Sequence, residues 1–376
     1  MTHQTKAELV KRYAKLYKKA CKSEKTRILD IIIEITDYTR KHAIFLLNHP
    51  DALKNKVRRR RRSKYGHLLE TLTFVWATAN FLCGKRLKPF MKFFVDSLIR
   101  HKELDITEDD YVLLLQMGAS TIDRLLLPKR REYGIKGRST TKPGTLLKHQ
   151  IPIRTFADWD DTDPGFLEVD LVAHCGGNVR GEFINTLDMT DISTGWTVCR
   201  AFMGKGRRFC SEAMDSAMPD FPFTILGIDC DNDAIFINEH ISSYCSERKI
   251  TYTRSRAYKK NDQCFIEQKN WDVVRKTIGY QRLDTQRQLD ILNNVYDLLA
   301  LYQNYFQPSC KLIDKVRVGA KVKKLYDDAT TPAHRLLART DLPEHIRTRV
   351  ERFTLTLNPA ELKRQMTRII KSLFND

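Results

Sequence analysis

The sequence predicts an all-α N-terminal region followed by an α/β core, in which helices flank a mixed five-stranded sheet. The first third of the chain has apolar residues at helical spacing. Beyond residue 165 the pattern changes to three short alternating strands in succession, and then to alternating helices and strands. Between these regions, residues 133–155 begin with a Gly-, Ser-, Thr-, Lys- and Pro-rich run without periodicity and are interpreted as a linker.

Three helices are predicted within residues 1–57, and the last two have the pattern of a helix-turn-helix. The second helix breaks at Asp37, and a short third helix follows over residues 38–48. Arg40 and Lys41 lie near the start of this third helix, where a recognition helix contacts DNA. The same pattern fits an ordinary three-helix bundle equally well, so both interpretations stay open.

Residues 67–132 are predicted to form a second helical DNA-binding unit, which begins with helices over about 67–82 and 87–103. Gly118 permits a sharp turn between two helices, and Ser120 with Asp123 three positions later resembles a capping box. Arg124 then lies on the short helix expected to enter the major groove. Two such units in one chain predict a bipartite DNA-binding region.

The positive charge is concentrated near the N-terminus. The whole chain has a formal charge of +19, and residues 1–66 contain 19 Lys and Arg against 6 Asp and Glu. The densest block is five consecutive arginines, Arg58, Arg59, Arg60, Arg61 and Arg62. We interpret residues 58–66 as a basic arm that follows DNA phosphates without reading sequence, in preference to a solvated linker.

The sequence also predicts where the protein resides. No apolar stretch approaches the roughly 18 to 20 residues that a bilayer span needs, and the first residues lack the hydrophobic core of a signal peptide. The nine cysteines form no C-x-x-C pair and are expected to be reduced. These observations favour a cytoplasmic protein that binds neither membranes nor a small-molecule substrate.

Three acidic residues are the candidate catalytic groups of the core, residues 156–308. Asp170 lies in the middle of an apolar strand, a costly position unless the carboxylate is paired or binds a metal. Asp231 ends the fourth predicted strand, where open sheets place ligands. Glu267 lies on the helix after the fifth strand. Asp229 lies two residues before Asp231 on the same strand face and is the alternative second ligand.

In three segments the chain resembles the DDE superfamily of bacterial insertion-sequence transposases and retroviral-type integrases. FLEVDLV resembles the strand with the first Asp, GIDCDNDAIFIN the D-N-G-x-E-F turn, and KKNDQCFIEQKN the segment with the Glu. The resemblance covers roughly residues 160–310 and implies a ribonuclease-H-like fold. It implies that Asp170, Asp231 and Glu267 are both the catalytic residues and the ligands of two Mg²⁺ or Mn²⁺ ions. Asp233 and Ile235 depart from the family's Gly and Glu.

The resemblance also implies an activity and partners. A DDE transposase binds double-stranded DNA at the ends of a mobile element, hydrolyses a phosphodiester there and joins the freed end to target DNA. Two metal ions can stabilise the negative charge on the attacking and the leaving oxygen of each displacement. It acts as a homo-oligomer, here expected in a bacterial cytoplasm and on the nucleoid. The alternatives are a catalytically decayed DNA-binding protein and a metal-dependent nuclease without strand transfer.

Two further basic regions are candidates for DNA contact. Arg254, Arg256, Lys259 and Lys260 precede Glu267 and either grip DNA ends or belong to a solvated loop. The basic C-terminal extension, residues 309–376, contains a V-R-V-G-A-K-V alternation that predicts a short hairpin or extended arm, followed by helices.

Overall fold

The protein is described by a computed structural model that covers residues 1–53, 64–132, 163–231, 233–254, 270–318 and 321–374. The chain divides into two compact units, Met1–Ser63 (unit 1) and Lys64–Asp376 (unit 2). The helices described in unit 1 are α1 (His3–Lys19), α2 (Lys22–Thr36) and α3 (Arg40–Asn48).

Along the sequence of unit 2, helices precede, separate and follow the strands of the central sheet. Its helices are α4 (Leu69–Thr78), α5 (Gly84–Arg100), α6 (Glu108–Gln116), α7 (Ala119–Leu125), α8 (Leu127–Glu132), α9 (Arg207–Ala217), α10 (Glu239–Glu247), α11 (Lys276–Ile278), α12 (Gln286–Phe306), α13 (Pro332–Leu337), α14 (Glu344–Thr356) and α15 (Pro359–Leu373). Its strands are β1 (Phe166–Ala173), β2 (Ile184–Asp191), β3 (Thr197–Met203), β4 (Gly227–Cys230), β5 (Thr251–Arg254), β6 (Leu312–Val318) and β7 (Lys321–Tyr326).

Unit 1 is a three-helix arrangement with a small core of its own. The α2–α3 turn is sharp because Asp37 adopts the left-handed conformation (φ 54°), which Asp tolerates better than most residues. Thr39 then caps α3 by accepting a hydrogen bond from the His42 amide. Apolar side chains from all three helices, including Ala14, Ile32 and Leu47, form the core. The predicted break at Asp37 and the short third helix are both present.

The central sheet of unit 2 has five strands in the order β3-β2-β1-β4-β5. β1 pairs antiparallel with β2, and β2 with β3, whereas β4 and β5 continue from β1 in parallel. Three antiparallel strands followed by two parallel ones, with a helix after β3 and another after β4, is the order of the ribonuclease-H-like fold. The predicted fold class is therefore confirmed.

Alternation along β1 separates an apolar face of the sheet from a polar one. Leu167 and Val169 are fully buried on one face, whereas Glu168 and Asp170 point to the other. Because one face packs into the hydrophobic core, a register slip of a single residue would bury Asp170 against apolar side chains. The hydrophobic pattern therefore fixes which carboxylates share the polar face.

The helix α12 runs along the edge strand β3 and binds its backbone through two asparagines. The Asn304 side chain accepts a hydrogen bond from the Thr197 amide and donates one to the Thr197 carbonyl, each at 2.8 Å. Three helical turns earlier, Asn293 makes the same pair of bonds with Ala201. These bonds satisfy peptide groups that an uncovered edge strand would leave open.

Helices α4 to α7 share one hydrophobic core with the sheet and the C-terminal helices. This core extends in sequence from Leu68 to Leu373. The sequence predicts separate segments for residues 67–132, 156–308 and 309–376. All three ranges fall within unit 2, which begins after Ser63. The Tyr302 hydroxyl on α12 donates to the Thr78 carbonyl on α4, which links these segments directly.

The capping box predicted at Ser120 and Asp123 is wrong. Gly118 is the N-cap residue of α7, and Ser120 lies inside the helix. The Asp123 carboxylate instead accepts a hydrogen bond from the Gly84 amide at 2.7 Å and pairs with Arg130 at 2.5 Å. The short-range spacing therefore identified a carboxylate whose partners are distant in sequence.

Two predicted helix boundaries also differ from the structure. The helix expected over 67–82 ends at Thr78, because Asn80 and Phe81 adopt left-handed backbone conformations (φ 57° and 62°) that no α-helix accepts. The helix expected over 87–103 begins at Gly84, whose Cα faces the Ala119 carbonyl so closely that a Cβ would lie 2.2 Å from that oxygen.

The C-terminal extension contains the predicted hairpin, formed by β6 and β7, and then three helices. Asp327 secures the base of the hairpin by accepting hydrogen bonds from the Lys311 amide and the Arg335 guanidinium, each at 2.5 Å. Helices α12 and α15 pack closely together, so the extension belongs structurally to unit 2.

Within the described ranges, no helix combines the length and apolar character that crossing a membrane requires. Eight of the nine cysteines fall in these ranges, and all eight are free thiols. Five of them are buried.

We predict that Asn304→Ala lowers the free energy of unfolding by about 2–4 kcal/mol, because it leaves a buried amide and a buried carbonyl of Thr197 unpaired. Asn294→Ala is the matched control, since Asn294 lies on the exposed face of the same helix and should change stability by less than about 0.5 kcal/mol. Urea denaturation of the two variants measures the difference. Equal losses would show that the amide–peptide bonds contribute nothing.

Candidate active site

The candidate active site lies where β1 and β4 run side by side. Their parallel register pairs Phe166 with Gly227 and ends with Val169 opposite Cys230. In both strands the next residue along the sequence is an aspartate: Asp170 lies on β1, and Asp231 directly follows β4. The register therefore brings together two of the three predicted catalytic residues.

Both carboxylates are held by hydrogen bonds. One oxygen of Asp170 accepts from the Leu171 amide at 2.7 Å, and the other accepts from the side-chain amide of Asn270. Asp231 accepts from the Asp233 amide at 2.8 Å in the turn that follows β4. Each carboxylate is only half-buried, so both remain accessible from solvent.

Asn270 was not singled out by the sequence analysis as a site residue. It is the last residue of the NDQCFIEQKN segment, and it begins a π-helical turn, Asn270–Arg275, that leads into α11. Its position three residues after the predicted Glu was the available signal. Its contact with Asp170 comes from long-range packing, which spacing alone does not reveal.

The two aspartates repel one another. Burial raises the pKa of Asp231 to about 7, and the negative charge of Asp170 is the next largest cause. The hydrogen bond from the Asp233 amide and the positive charge of Lys205 act in the opposite direction. Two adjacent carboxylates in a partly desolvated site therefore hold a proton near neutral pH unless a cation neutralises them.

This pair fits a divalent metal ion by the chemistry of its donors. Mg²⁺ and Mn²⁺ bind carboxylate oxygens, and Mg²⁺ needs only one or two carboxylates besides water and substrate oxygens. The mutual repulsion of Asp170 and Asp231 is the electrostatic condition that a bound cation relieves. No cluster of three potential metal ligands occurs among the described residues, and Glu267 lies outside them.

The alternative ligand Asp229 lies deeper in the sheet. It is 1% exposed, stands opposite Glu168 in the register, and accepts a hydrogen bond from the Thr253 hydroxyl at 2.7 Å. Two residues along a strand span about 7 Å, so Asp229 is displaced from Asp170 by roughly that distance. The register thus favours Asp231 as the partner of Asp170.

Two buried acids beneath the pair, Glu168 and Asp188, were not anticipated. Glu168 is 2% exposed, and Asp188 is fully buried opposite Asp170 on β2. The Thr190 hydroxyl lies 3.4 Å from the Asp188 carboxylate. The polar face of the sheet therefore carries several carboxylates around Asp170 and Asp231.

Asp233 and Ile235, which depart from the family's turn, are accommodated. Asp233 is held in the turn by polar contacts of its side chain. Its carboxylate accepts a hydrogen bond from the Ile235 amide at 3.0 Å and lies 3.4 Å from the Lys205 ammonium group. Ile235 is 3% exposed and belongs to the hydrophobic core.

The predicted DNA-contacting residues fall into three groups. Arg40, Lys41 and Arg124 are exposed on helices, and Arg40 pairs with Asp30 at 2.9 Å. Arg254 is only 6% exposed at the end of β5, which does not fit its predicted surface contact with DNA. The remaining ones lie outside the described residues: Arg58, Arg59, Arg60, Arg61, Arg62, Arg256, Lys259 and Lys260.

The sheet order and the paired aspartates at its centre define a ribonuclease-H-like α/β protein. No protein-family model matches the sequence. The chain is 39% identical over 332 residues to the uncharacterized protein y4rM of Sinorhizobium fredii (strain NBRC 101917 / NGR234), a match that covers 88% of this chain and 95% of that protein. The chain therefore belongs to the same family as y4rM.

Several solved structures show a distant likeness. The HTLV-2 integrase catalytic core in complex with magnesium is 13% identical, covering 39% of this chain and 90% of that chain, with a TM-score of 0.30. The BIV integrase core is 14% identical, covering 37% and 83%, with a TM-score of 0.29. A simian T-cell lymphotropic virus intasome is 13% identical, covering 62% and 71%, with a TM-score of 0.35. At these scores, the fold assignment depends on the strand order alone.

We predict that Asp170→Asn lowers the pKa of Asp231, because it removes the nearest negative charge. Since the folded-state pKa of about 7 exceeds the ordinary value of 3.8, the folded protein binds the extra proton between these limits. The stability contribution of Asp231 is therefore greatest in acid and is lost as the pH rises towards 7. Carboxyl ¹³C NMR of metal-free protein measures the pKa.

The matched control is Asp290→Asn, which removes an exposed carboxylate on α12. The pKa of Asp231 should be the same in this variant as in the wild type. A pKa that responds equally to both substitutions would mean that the two aspartates do not interact directly.

Proposed function

We propose that the protein is a DDE-type DNA transposase, which binds the ends of a mobile element and joins them to target DNA. The observation that carries the proposal is the adjacency of Asp170 and Asp231 at the centre of the sheet, in the register expected for a metal-binding pair. In the first proposed step, water displaces the 3′-oxygen of a phosphodiester at the element's end. The freed 3′-hydroxyl then attacks a target phosphodiester and displaces its 3′-oxygen.

The chain's own residues would position the reacting groups. Asp170, Asp231 and Glu267 would hold two divalent ions, which when bound supply charge neutralisation for the attacking and leaving oxygens. Asn270 would orient Asp170 through its hydrogen bond. Lys205, whose charge favours the ionised form of Asp231, would keep that carboxylate ready for binding a cation.

Connectivity supports the inclusion of Glu267. Asn270 contacts Asp170 and follows Glu267 by three residues. Three residues of fully extended chain span at most about 11 Å, a length compatible with the proposed role of Glu267 beside the pair. No other acidic residue lies within three residues of Asn270 on its N-terminal side.

Unit 1 is the proposed end-binding region. α3 follows a tight turn and presents Arg40 and Lys41 in its first turn, as recognition helices do. Its exposed face also carries Ile44 and Phe45, 37% and 51% exposed, which are suited to apolar contact with thymine methyl groups. The basic arm at 58–66 would add phosphate contacts, and pairing of two DNA ends would require a homo-oligomer.

We expect Asp170→Asn, Asp231→Asn and Glu267→Gln each to lower cleavage and strand transfer by at least about a hundredfold. Each change removes a negative charge that would hold a metal ion, while DNA binding should persist. The measurement is cleavage and joining of a labelled duplex from the gene's native flanks in Mg²⁺, with binding followed by anisotropy.

Asp229→Asn and Glu239→Gln are the matched controls, since Asp229 lies deeper in the sheet and Glu239 is exposed on α10. Both should remain within about tenfold of wild type. Cleavage without joining would indicate a nuclease, and binding without either reaction would indicate a DNA-binding protein that has lost catalysis. Loss of activity in Asp229→Asn but not in Asp231→Asn would reverse the ligand assignment.

Two substitutions in unit 1 should change DNA affinity in opposite directions. Lys41→Ala removes an exposed cation and should weaken binding, reducing the slope of log K against log salt by about one. Asp30→Ala removes the counter-ion of Arg40 and should strengthen binding. Anisotropy titrations across a salt series test both, with Lys92→Ala on α5 as the control. Identical slopes in all four proteins would exclude α3 from the DNA interface.

A further inference from the structure

A cavity in unit 2 is lined in part by cationic side chains. Its volume is about 230 Å³, and it lies between α11, α12, α15 and the turn after α4. Three lysines contribute to its wall, Lys276, Lys363 and Lys371, together with Asn80 and apolar side chains of α12 and α15. Among the residues that the structure describes, none that lines the cavity is acidic.

Lys363 is the central group of this cavity. It is half-buried, donates a hydrogen bond to the Asn80 side-chain oxygen at 2.7 Å, and lies 5.6 Å from the centre of the Tyr302 ring. Among the described residues, no carboxylate lies within ion-pair distance of Lys363. A desolvated ammonium group whose contacts are an amide oxygen and an aromatic face is incompletely compensated.

A second ammonium group is directed to the same asparagine. Lys276 donates to the main-chain carbonyl of Asn80 at 2.7 Å. Asn80 has a left-handed backbone (φ 57°), a conformation that Asn tolerates, and it presents both of its oxygens to the two lysines. Burial and the charge of Lys276 together lower the pKa of Lys363 to about 8.

We infer that this cavity binds a phosphate group, held chiefly by Lys363 and Lys276. A tetrahedral anion supplies the counter-charge that Lys363 lacks among the described residues, and its several oxygens can accept from more than one donor of the lining. Thr277 and Thr367 also line the cavity and offer hydroxyl groups. The Asn80 amide NH₂ remains available as a further donor, because the asparagine's oxygens accept from the lysines.

The phosphate could come from two sources, free inorganic phosphate or the DNA backbone. The cavity is linked to the candidate active site by one helical segment, since Asn270 contacts Asp170 and Lys276 follows six residues later. The site itself does not depend on DNA cleavage, so it can be tested in protein without metal or DNA.

The first experiment measures the melting temperature of the full chain against inorganic phosphate, with chloride at equal ionic strength as the reference and a chelator present. A saturable rise is expected in the wild type. Lys363→Met should weaken phosphate binding by about tenfold or more, because it removes a charged hydrogen-bond donor. Lys92→Met, on an exposed lysine of α5, should retain wild-type affinity. Both variants experience any non-specific stabilisation by phosphate equally.

A second measurement serves in case Lys363→Met fails to fold. ¹³C-methylated lysines of the wild type are titrated by NMR, and phosphate should raise the pKa of Lys363 because the anion favours its charged form.

A third measurement tests the DNA source. If the phosphate belongs to the DNA backbone, the inorganic ion will have the same effect on both variants, whereas Lys363→Met will lower duplex affinity and reduce the salt slope by about one. Either source supports the inference. The inference is overturned if phosphate affects both variants alike and the salt slope of Lys363→Met equals that of wild type. If Lys363→Met does not fold, an unchanged pKa of Lys363 in phosphate overturns it. If the protein does not cleave DNA, the melting temperature, the pKa of Lys363 and the salt slope can still be measured, so failure of the proposed function is distinguishable from failure of this inference.

Discussion

The parallel pairing of β1 with β4 is the interaction on which the candidate site depends. It places Asp170 and Asp231 at neighbouring positions of two strands that are far apart in sequence. The register is fixed on the opposite face, where Leu167, Val169 and Ile228 are fully buried. Hydrophobic packing therefore overcomes the repulsion between two carboxylates that would otherwise separate, since burial of each large apolar side chain contributes about 1.5–3 kcal/mol.

The same sheet needs protection at its open edge, and α12 provides it. Asn293 and Asn304 bind peptide groups of β3, so the helix is aligned with the strand by hydrogen bonds as well as by apolar contact. The far side of α12 packs against α15, which connects the sheet to the C-terminal extension. The extension is thus part of the scaffold that keeps the two aspartates in register.

Period-two and helical patterns were sufficient to predict all five strands of the sheet and their class of arrangement, because burial of one face imposes those periods. The Asp170–Asp231 pairing was predicted from motif resemblance and is consistent with the register.

Contacts between distant segments could not be predicted from the sequence. Asp123 has the spacing of a capping residue, yet its partners are Gly84 and Arg130. Arg254 belongs to a basic stretch, yet strand packing buries it. Local sequence contains no information about which distant backbone group a carboxylate will meet.

The proposed DNA substrate would meet two regions of opposite charge in this protein. Residues 1–66 contain 19 basic and 6 acidic residues and would attract a polyanion strongly. The candidate active site has the opposite sign, with Asp170 and Asp231 at its opening and the buried carboxylates of Glu168, Asp188 and Asp229 beneath them. A phosphodiester placed beside Asp170 and Asp231 would be repelled unless cations lie between it and the carboxylates. Divalent ions bound by the aspartates would invert the local sign, so the proposed DNA cleavage is compatible with an acidic face at the centre of the sheet only when such ions are bound.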